Sequence, residues 1–347
     1  MTTLIVRLDS AGDVLLAGPA VRAVAAGSDH VVFLCGPQGA AAARLLPGVD
    51  EIVVWDAPWV GLQPPPVRPD DVQQIVHALH GIDRALILAS FHQSPLPTAL
   101  VLRLSGVGWI GADSEHYPGS LLDLRHQRAP HRHEADAALD LAIAAGYRLP
   151  PGDDGRMAIL PPPDVRALTG EDPYVVVHPG AAVPARAPSM DTAVDATEAL
   201  LTAGHRVLLT GGPDETALTA AIARRTGAVD LGGRTNLHGL GGILAGAAAV
   251  VVGNTGPAHL AAAVGTPVVS LFAPVVPAER WAPYRVPQVL LGDQDAPCAG
   301  SRARTCPIPG HPCLSSIRGA DVVAAVDSLI ARVKQRPAPQ NTREVIA

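Results

Sequence analysis

Asp13 stands in the turn Asp9-Ser10-Ala11-Gly12-Asp13, directly after a short apolar run, where a carboxylate can take the proton of an attacking hydroxyl. Asp9 is its nearest competitor, and an acid placed favourably in a first helical turn is the reading of Asp13 without catalysis. A second chemical feature lies far along the chain, in VVVGNTGPAHLAAAVGTPVVSLFAP. Val250, Val251 and Val252 form a strand and Gly253-Asn254-Thr255-Gly256-Pro257 turns the chain. Residues 258–264 supply a helix of small side chains, for which Pro257 suits the first turn and Thr255 or Asn254 the cap. Unpaired N–H groups and a positive dipole end make such a helix start a cradle for a diphosphate, and His259 adds a donor. The same pattern also fits a strand-turn-helix-strand unit that holds no ligand.

Three more strand-to-helix junctions carry groups of this kind. In Val177-His178-Pro179-Gly180-Ala181-Ala182 a Pro-Gly turn exposes backbone donors, and Arg186 offers a fork for phosphate or stands solvated in its loop. In Thr210-Gly211-Gly212-Pro213-Asp214-Glu215 the carboxylates can hold a pair of ribose hydroxyls, while helix capping explains Asp214 equally well. In Gly232-Gly233-Arg234-Thr235-Asn236-Leu237 a base can lie on Leu237 and backbone, or Thr235 or Asn236 simply caps a helix. Late in the chain Cys298, Cys306, His311 and Cys313 have the residue types of a zinc site, though thiols packed in a loop fit the spacing better.

The elements that must position these groups alternate strand and helix. Strands are expected at residues 4–7, 31–35, 51–55, 85–89 and 108–111, with helices at 14–26 (interrupted by Pro19), 38–46, 70–80, 98–105 and 134–146. Residues 116–133 read as a polar loop whose histidines, among them His126, His131 and His133, face an acceptor or solvent. The alternation resumes with strands at 174–178, 206–210, 229–231, 250–252 and 268–272, and helices at 191–203, 214–226, 237–247 and 320–333. Residues 275–314 read as irregular. Between the two series lies a stretch rich in proline and acid, so the division expected is 1–150, a linker 151–172, a second domain 173–333 and a flexible tail 334–347. This predicts α/β architecture: two Rossmann-like domains whose parallel sheets aim their loops into a central cleft.

Composition narrows the function classes. The 347 residues carry a net charge of −6 with 48% hydrophobic and only 3% aromatic content, which argues against nucleic acid as a partner. Arg7 and Asp9 interrupt the apolar run a signal peptide needs, and the most apolar later stretch, 240–253, falls short of a membrane span. The expected location is the cytoplasm, with room for peripheral contact with a membrane that carries the acceptor. A nicotinamide enzyme would show G-x-G-x-x-G after the first strand, where only Gly12 and Gly18 occur.

Taken in order, RLDSAGDVLLAGPAVRAV, VVVHPGAAVPAR, LLTGGPDE, LGGRTNL and the segment around Thr255 resemble glycosyltransferase family 9, the ADP-heptose heptosyltransferases of lipopolysaccharide core synthesis and their relatives. The resemblance implies a GT-B fold and inverting, metal-independent transfer of a sugar, a heptose, from an ADP-sugar to an acceptor hydroxyl. No cofactor is implied; the partners are the nucleotide-sugar donor on the second half and a glycan, glycolipid or small-molecule acceptor on the first. It makes Asp13 the base, puts Arg186 at the family's lysine, and places Thr255, Gly256 and His259 on diphosphate and sugar. Asn254 departs from the family's aspartate before the Thr-Gly pair, as does the segment after Arg186, which lacks an aromatic residue. A GT-B sugar-nucleotide 2-epimerase and a non-catalytic nucleotide-sugar-binding protein are the alternatives.

Overall fold

A computed structural model describes residues 1–61 and 63–335; the expected tail beyond Gln335 lies outside the described residues. Among these residues the chain builds two six-stranded, wholly parallel sheets. The first holds β1 (Thr2–Arg7), β2 (His30–Cys35), β3 (Glu51–Val54), β4 (Arg84–Ile87), β5 (Trp109–Asp113) and β6 (Leu124–His126), in the order β3-β2-β1-β4-β5-β6. The second holds β7 (Val175–His178), β8 (Val207–Leu209), β9 (Val229–Asp230), β10 (Ala249–Gly253), β11 (Val268–Leu271) and β12 (Gln288–Leu291), in the order β12-β11-β10-β7-β8-β9. Both sheets therefore have the same topology, reversing direction between β1 and β4 and again between β7 and β10. Ligands of doubly wound sheets bind at the carboxyl ends of the strands flanking such reversals.

The central strands are runs of β-branched and aliphatic residues because helices cover both faces. Val250, Val251 and Val252 are at most 1% exposed, as are Val175 and Val176. One hydrophobic cluster runs through both halves, joining Val14, Leu15 and Leu16 of the helix Ala11–Leu16 to Ala258, Leu260 and Ala261 of the helix Gly256–Ala263. The two helix starts meet at glycine: Gly12 and Gly256 face each other with no side chain between. Pro19 does break the first helical stretch, opening a second helix, Gly18–Ala25. The helix begins at Ala11 rather than at residue 14, so Asp13 lies in its first turn.

The structure corrects two parts of the sequence reading. The polar stretch 116–133 contains β6, which pairs with β5. The stretch 275–314 is not wholly irregular: it holds the four-residue helix Ala278–Trp281, β12 and the helix Pro312–Ser315. The stretch 151–172 is bound to its neighbours, through Arg22 Nε donating to Asp153 at 2.6 Å, Leu160 N to Leu45 O at 2.7 Å, and His238 Nε2 lying 3.0 Å from Pro161 O. No helix among the described residues is long and apolar enough to cross a membrane.

Candidate active site

The first half contributes a carboxylate held by three donors. Asp13 Oδ2 accepts from Ser10 Oγ at 2.8 Å, and Oδ1 accepts from Arg7 Nη2 at 3.1 Å and from Trp281 Nε1, in the other half, at 3.4 Å. Burial pushes the Asp13 carboxyl upward, but Arg7, the Ser10 hydroxyl, His259 and the Trp281 indole outweigh it and leave its pKa below the usual carboxylate value. Asp13 is thus ionised at neutral pH, as a proton acceptor must be. Asp9 differs: burial raises it to about 6 against the opposing charge of Arg7. Its carboxylate is taken up by Arg7 Nε at 2.9 Å and Gln93 Nε2 at 2.5 Å, both from its own half.

Behind Asp13 lies an ion network that the sequence reading missed. Arg7, the last residue of β1 and 2% exposed, also faces Glu134 at 3.5 Å and donates to Ser90 Oγ at 2.7 Å. Glu134 is buried at the first turn of the helix Glu134–Ala144 and accepts from Arg128 at 2.6 Å, while Arg128 pairs in turn with Asp113 at 3.0 Å. Removing one member of such a set leaves a buried charge uncompensated. The signal was a single arginine ending an apolar strand; its partners come from distant segments.

The second half presents a guanidinium and an imidazole, each with a buried nitrogen that has no partner among the described residues. His259, in the first turn of Gly256–Ala263, is 5% exposed, and its Nδ1 is buried with no hydrogen-bond partner among the described residues. Burial outweighs the pull of Asp13 and lowers His259 to about 4, so the ring is neutral. Arg186 follows β7 in the turn Pro184–Arg186, and its Nε is likewise buried and unpaired. Burial, with Arg302 close by, lowers Arg186 although Asp13 opposes this. Thr255 opens the helix without a side-chain cap, and Thr255, Gly256 and Pro257 stay partly open to solvent. A site with buried unpaired donors at a helix start suits an incoming anion.

Other expected donor residues are arranged differently. Asn254 is 4% exposed and points inward: its Nδ2 donates to Ala273 O at 3.3 Å and its Oδ1 accepts from Ala273 N at 3.2 Å. The amide thus splices the ends of β10 and β11 and is not presented to a sugar. His178 sits 3.0 Å from Thr210 Oγ1 and 3.5 Å from Glu215. Glu215 also accepts from Gly212 N at 2.7 Å, so Glu215 rather than Asp214 serves that helix start, and Asp214 stands exposed. The Glu215 carboxyl is held below its usual value, first by the hydrogen bond with His178. It lies over Gly180, where any β-carbon would collide with it at 1.8 Å, and Ala181 beside it is half-buried. Asn236 Oδ1, not Thr235, accepts from Gly239 N at 2.9 Å; Thr235 is half-buried, and Leu237 packs against the core.

No group of three or more His, Cys, Asp or Glu side chains that could hold a metal ion is found among the described residues. Cys298 and Cys313 are buried in the core of the second half, and Cys306 Sγ turns to Ile308 O at 3.3 Å. A cavity of about 330 Å³ opens at the ends of β1 and β4, walled by Leu8, Trp59, His92, Gln93 and Pro97, with Arg302 reaching in from the second half.

A family model described as glycosyltransferase family 9 (heptosyltransferase) matches residues 92–311. The chain belongs to that family. Lipopolysaccharide heptosyltransferase 3 of Escherichia coli is 33% identical to this family 9 chain over 141 residues, 38% of the chain and 40% of the relative. The match thus spans about two fifths of that curated relative. Among solved structures, a family 9 glycosyl transferase from Veillonella parvula superposes with a TM-score of 0.74 at 16% identity, over 95% of this chain and 97% of that one. An E. coli heptosyltransferase solved with ADP-2-deoxy-2-fluoro heptose gives 0.69 at 20% identity, over 94% and 99%. These likenesses, with the paired sheets, make the fold GT-B.

Proposed function

We propose that the chain is an inverting glycosyltransferase that moves a heptose from an ADP-sugar to a hydroxyl of a lipopolysaccharide core acceptor, without a required metal. The observation that carries this reading is the ionised Asp13 carboxylate facing His259 and Arg186, of which His259 Nδ1 and Arg186 Nε are buried with no partner among the described residues. In this reading the acceptor lies in the cavity beside Gln93 and His92, and Asp13 takes the proton of its hydroxyl as the oxygen attacks the anomeric carbon. The bond to the diphosphate breaks on the opposite face, which inverts the centre. Charge developing on the leaving diphosphate meets Arg186, the N-terminal amides at Gly256 and the His259 ring, donors fixed before the reaction begins. The E. coli relative solved with an ADP-heptose analogue supports the choice of donor.

The test is ADP release and product mass with ADP-heptose and deacylated lipopolysaccharide inner-core oligosaccharides, run beside UDP- and GDP-sugars. Acceptor-dependent ADP release with a heptose added to the oligosaccharide is expected. Conversion of a UDP-sugar without any acceptor would replace the reading by epimerisation. Tight binding of ADP-heptose without turnover would reduce it to nucleotide-sugar binding.

A further inference from the structure

The second half hands one donor across the gap to Asp13, and the segment carrying it is fastened to the first half along its whole length. Trp281 ends the short helix Ala278–Trp281. Its ring lies 5.8 Å from that of Phe91, and the Arg280 guanidinium sits 4.4 Å over the same Phe91 ring. Glu279 pairs with His131 at 2.5 Å, and His133 Nε2 lies 2.9 Å from Ala282 O with its ring stacked on Tyr284 at 4.7 Å. Tyr284 Oη donates to Asp136 at 2.5 Å, and Arg285 Nη1 donates to Asp154 O at 2.6 Å. Residues 279–285 therefore form a clasp that docks on the loop after β4 and on the start of Glu134–Ala144.

We infer that Trp281 is a positioning residue for Asp13, delivered by this clasp, so that the carboxylate receives its full set of donors only when the halves are docked. The inference rests on the reading of Asp13 as base but is tested apart from it. Arg7 and Ser10 hold Asp13 from within its own half in any arrangement of the two, whereas the indole N–H is supplied from outside. Indole is a donor without an acceptor lone pair, so it cannot take the proton itself. What it can do is share Oδ1 with Arg7, fix the plane of the carboxyl group and favour its ionised form.

Two measurements on the full chain test this. In 15N-labelled protein the Trp281 indole resonance, assigned by its loss in Trp281→Phe, should titrate with an acidic midpoint that disappears in Asp13→Asn. An indole signal insensitive to that substitution would overturn the contact. In the ADP-release assay Trp281→Phe should lower kcat roughly fivefold and move the acidic limb of kcat/KM upward by about half a pH unit, as expected on losing one hydrogen bond to the ionised form. The KM for ADP-heptose should stay within about twofold, because only the base is disturbed. Unchanged kcat and limb in Trp281→Phe would overturn the role. If instead Asp13→Asn retains turnover, it is the assignment of the base that fails, while the indole titration still reports the contact.

Discussion

A β-carbon added to Gly12 would lie 2.9 Å from His259 Cδ2 and 3.3 Å from Gly256 Cα, so a hydrogen atom is all that this helix start can present to the other half. That closeness brings Asp13 and His259 into one electrostatic field. Gly12→Ala should push the halves apart by a few tenths of an ångström and lower kcat roughly tenfold, since small displacements of catalytic groups cost heavily. Stopped-flow or steady-state ADP release checks this; undiminished turnover in Gly12→Ala would show that the close approach is not needed.

Arg186 Nε is buried with no hydrogen-bond partner among the described residues, and on the proposed function it holds the diphosphate. Arg186→Ala should weaken ADP binding roughly tenfold, the scale of one charge-assisted hydrogen bond. Calorimetric titration with ADP measures it, and equal affinity in the variant would remove Arg186 from the donor site.

His259 is lowered to about 4 by burial, below the ordinary value of 6.5. The unfolded chain then binds more protons than the folded one between those two values, so stability rises with pH across the window and is lost on acidification. Asp9 works the other way: raised to about 6, it favours the folded state as pH falls from 6 toward its unfolded value of 3.8. The His259 contribution can be isolated by difference. The stability advantage of the native chain over His259→Gln should shrink by up to about 2 kcal/mol between pH 7 and pH 5. Denaturant melts at the two pH values check it, and a pH-independent difference would contradict the buried neutral ring.

Asn254 uses both ends of its amide on Ala273. Asn254→Asp would remove the donor and set a carboxylate oxygen against a buried carbonyl, costing about 1–3 kcal/mol. Scanning calorimetry should show a Tm several degrees lower with little change in ADP affinity. An unchanged Tm together with altered donor preference would return Asn254 to the sugar site.

Much of the fold was legible because its central strands are buried on both faces and therefore continuous apolar runs, as at Val250 to Val252. The strands missed are at the edges and only partly buried: β6 is Leu124-Arg125-His126, with no apolar run, and the run Val289 to Leu291 of β12 is only three residues long. Asp13 and the Thr255–His259 turn were readable because each lies just after a strand, where local order dictates a helix start. The direction of Asn254 was not, since an amide beside a Thr-Gly pair looks the same whether it faces a ligand or a neighbouring strand end. Trp281 was hidden for another reason. Its helix is four residues long, and its partner Asp13 lies 268 positions earlier. Arg7 and Glu134 meet across 127 positions, a pairing set by sheet order rather than by any local pattern.

The central claim is that Asp13 removes a proton from the acceptor while the other half holds the donor. Comparing Asp13→Asn with the native chain, by calorimetric ADP titration and acceptor-dependent ADP release on the same preparations, tests this most directly. The account predicts ADP affinity within about threefold and kcat at least roughly a thousandfold lower, the scale of losing a positioned base. Near-native turnover in Asp13→Asn with ADP affinity retained would contradict it.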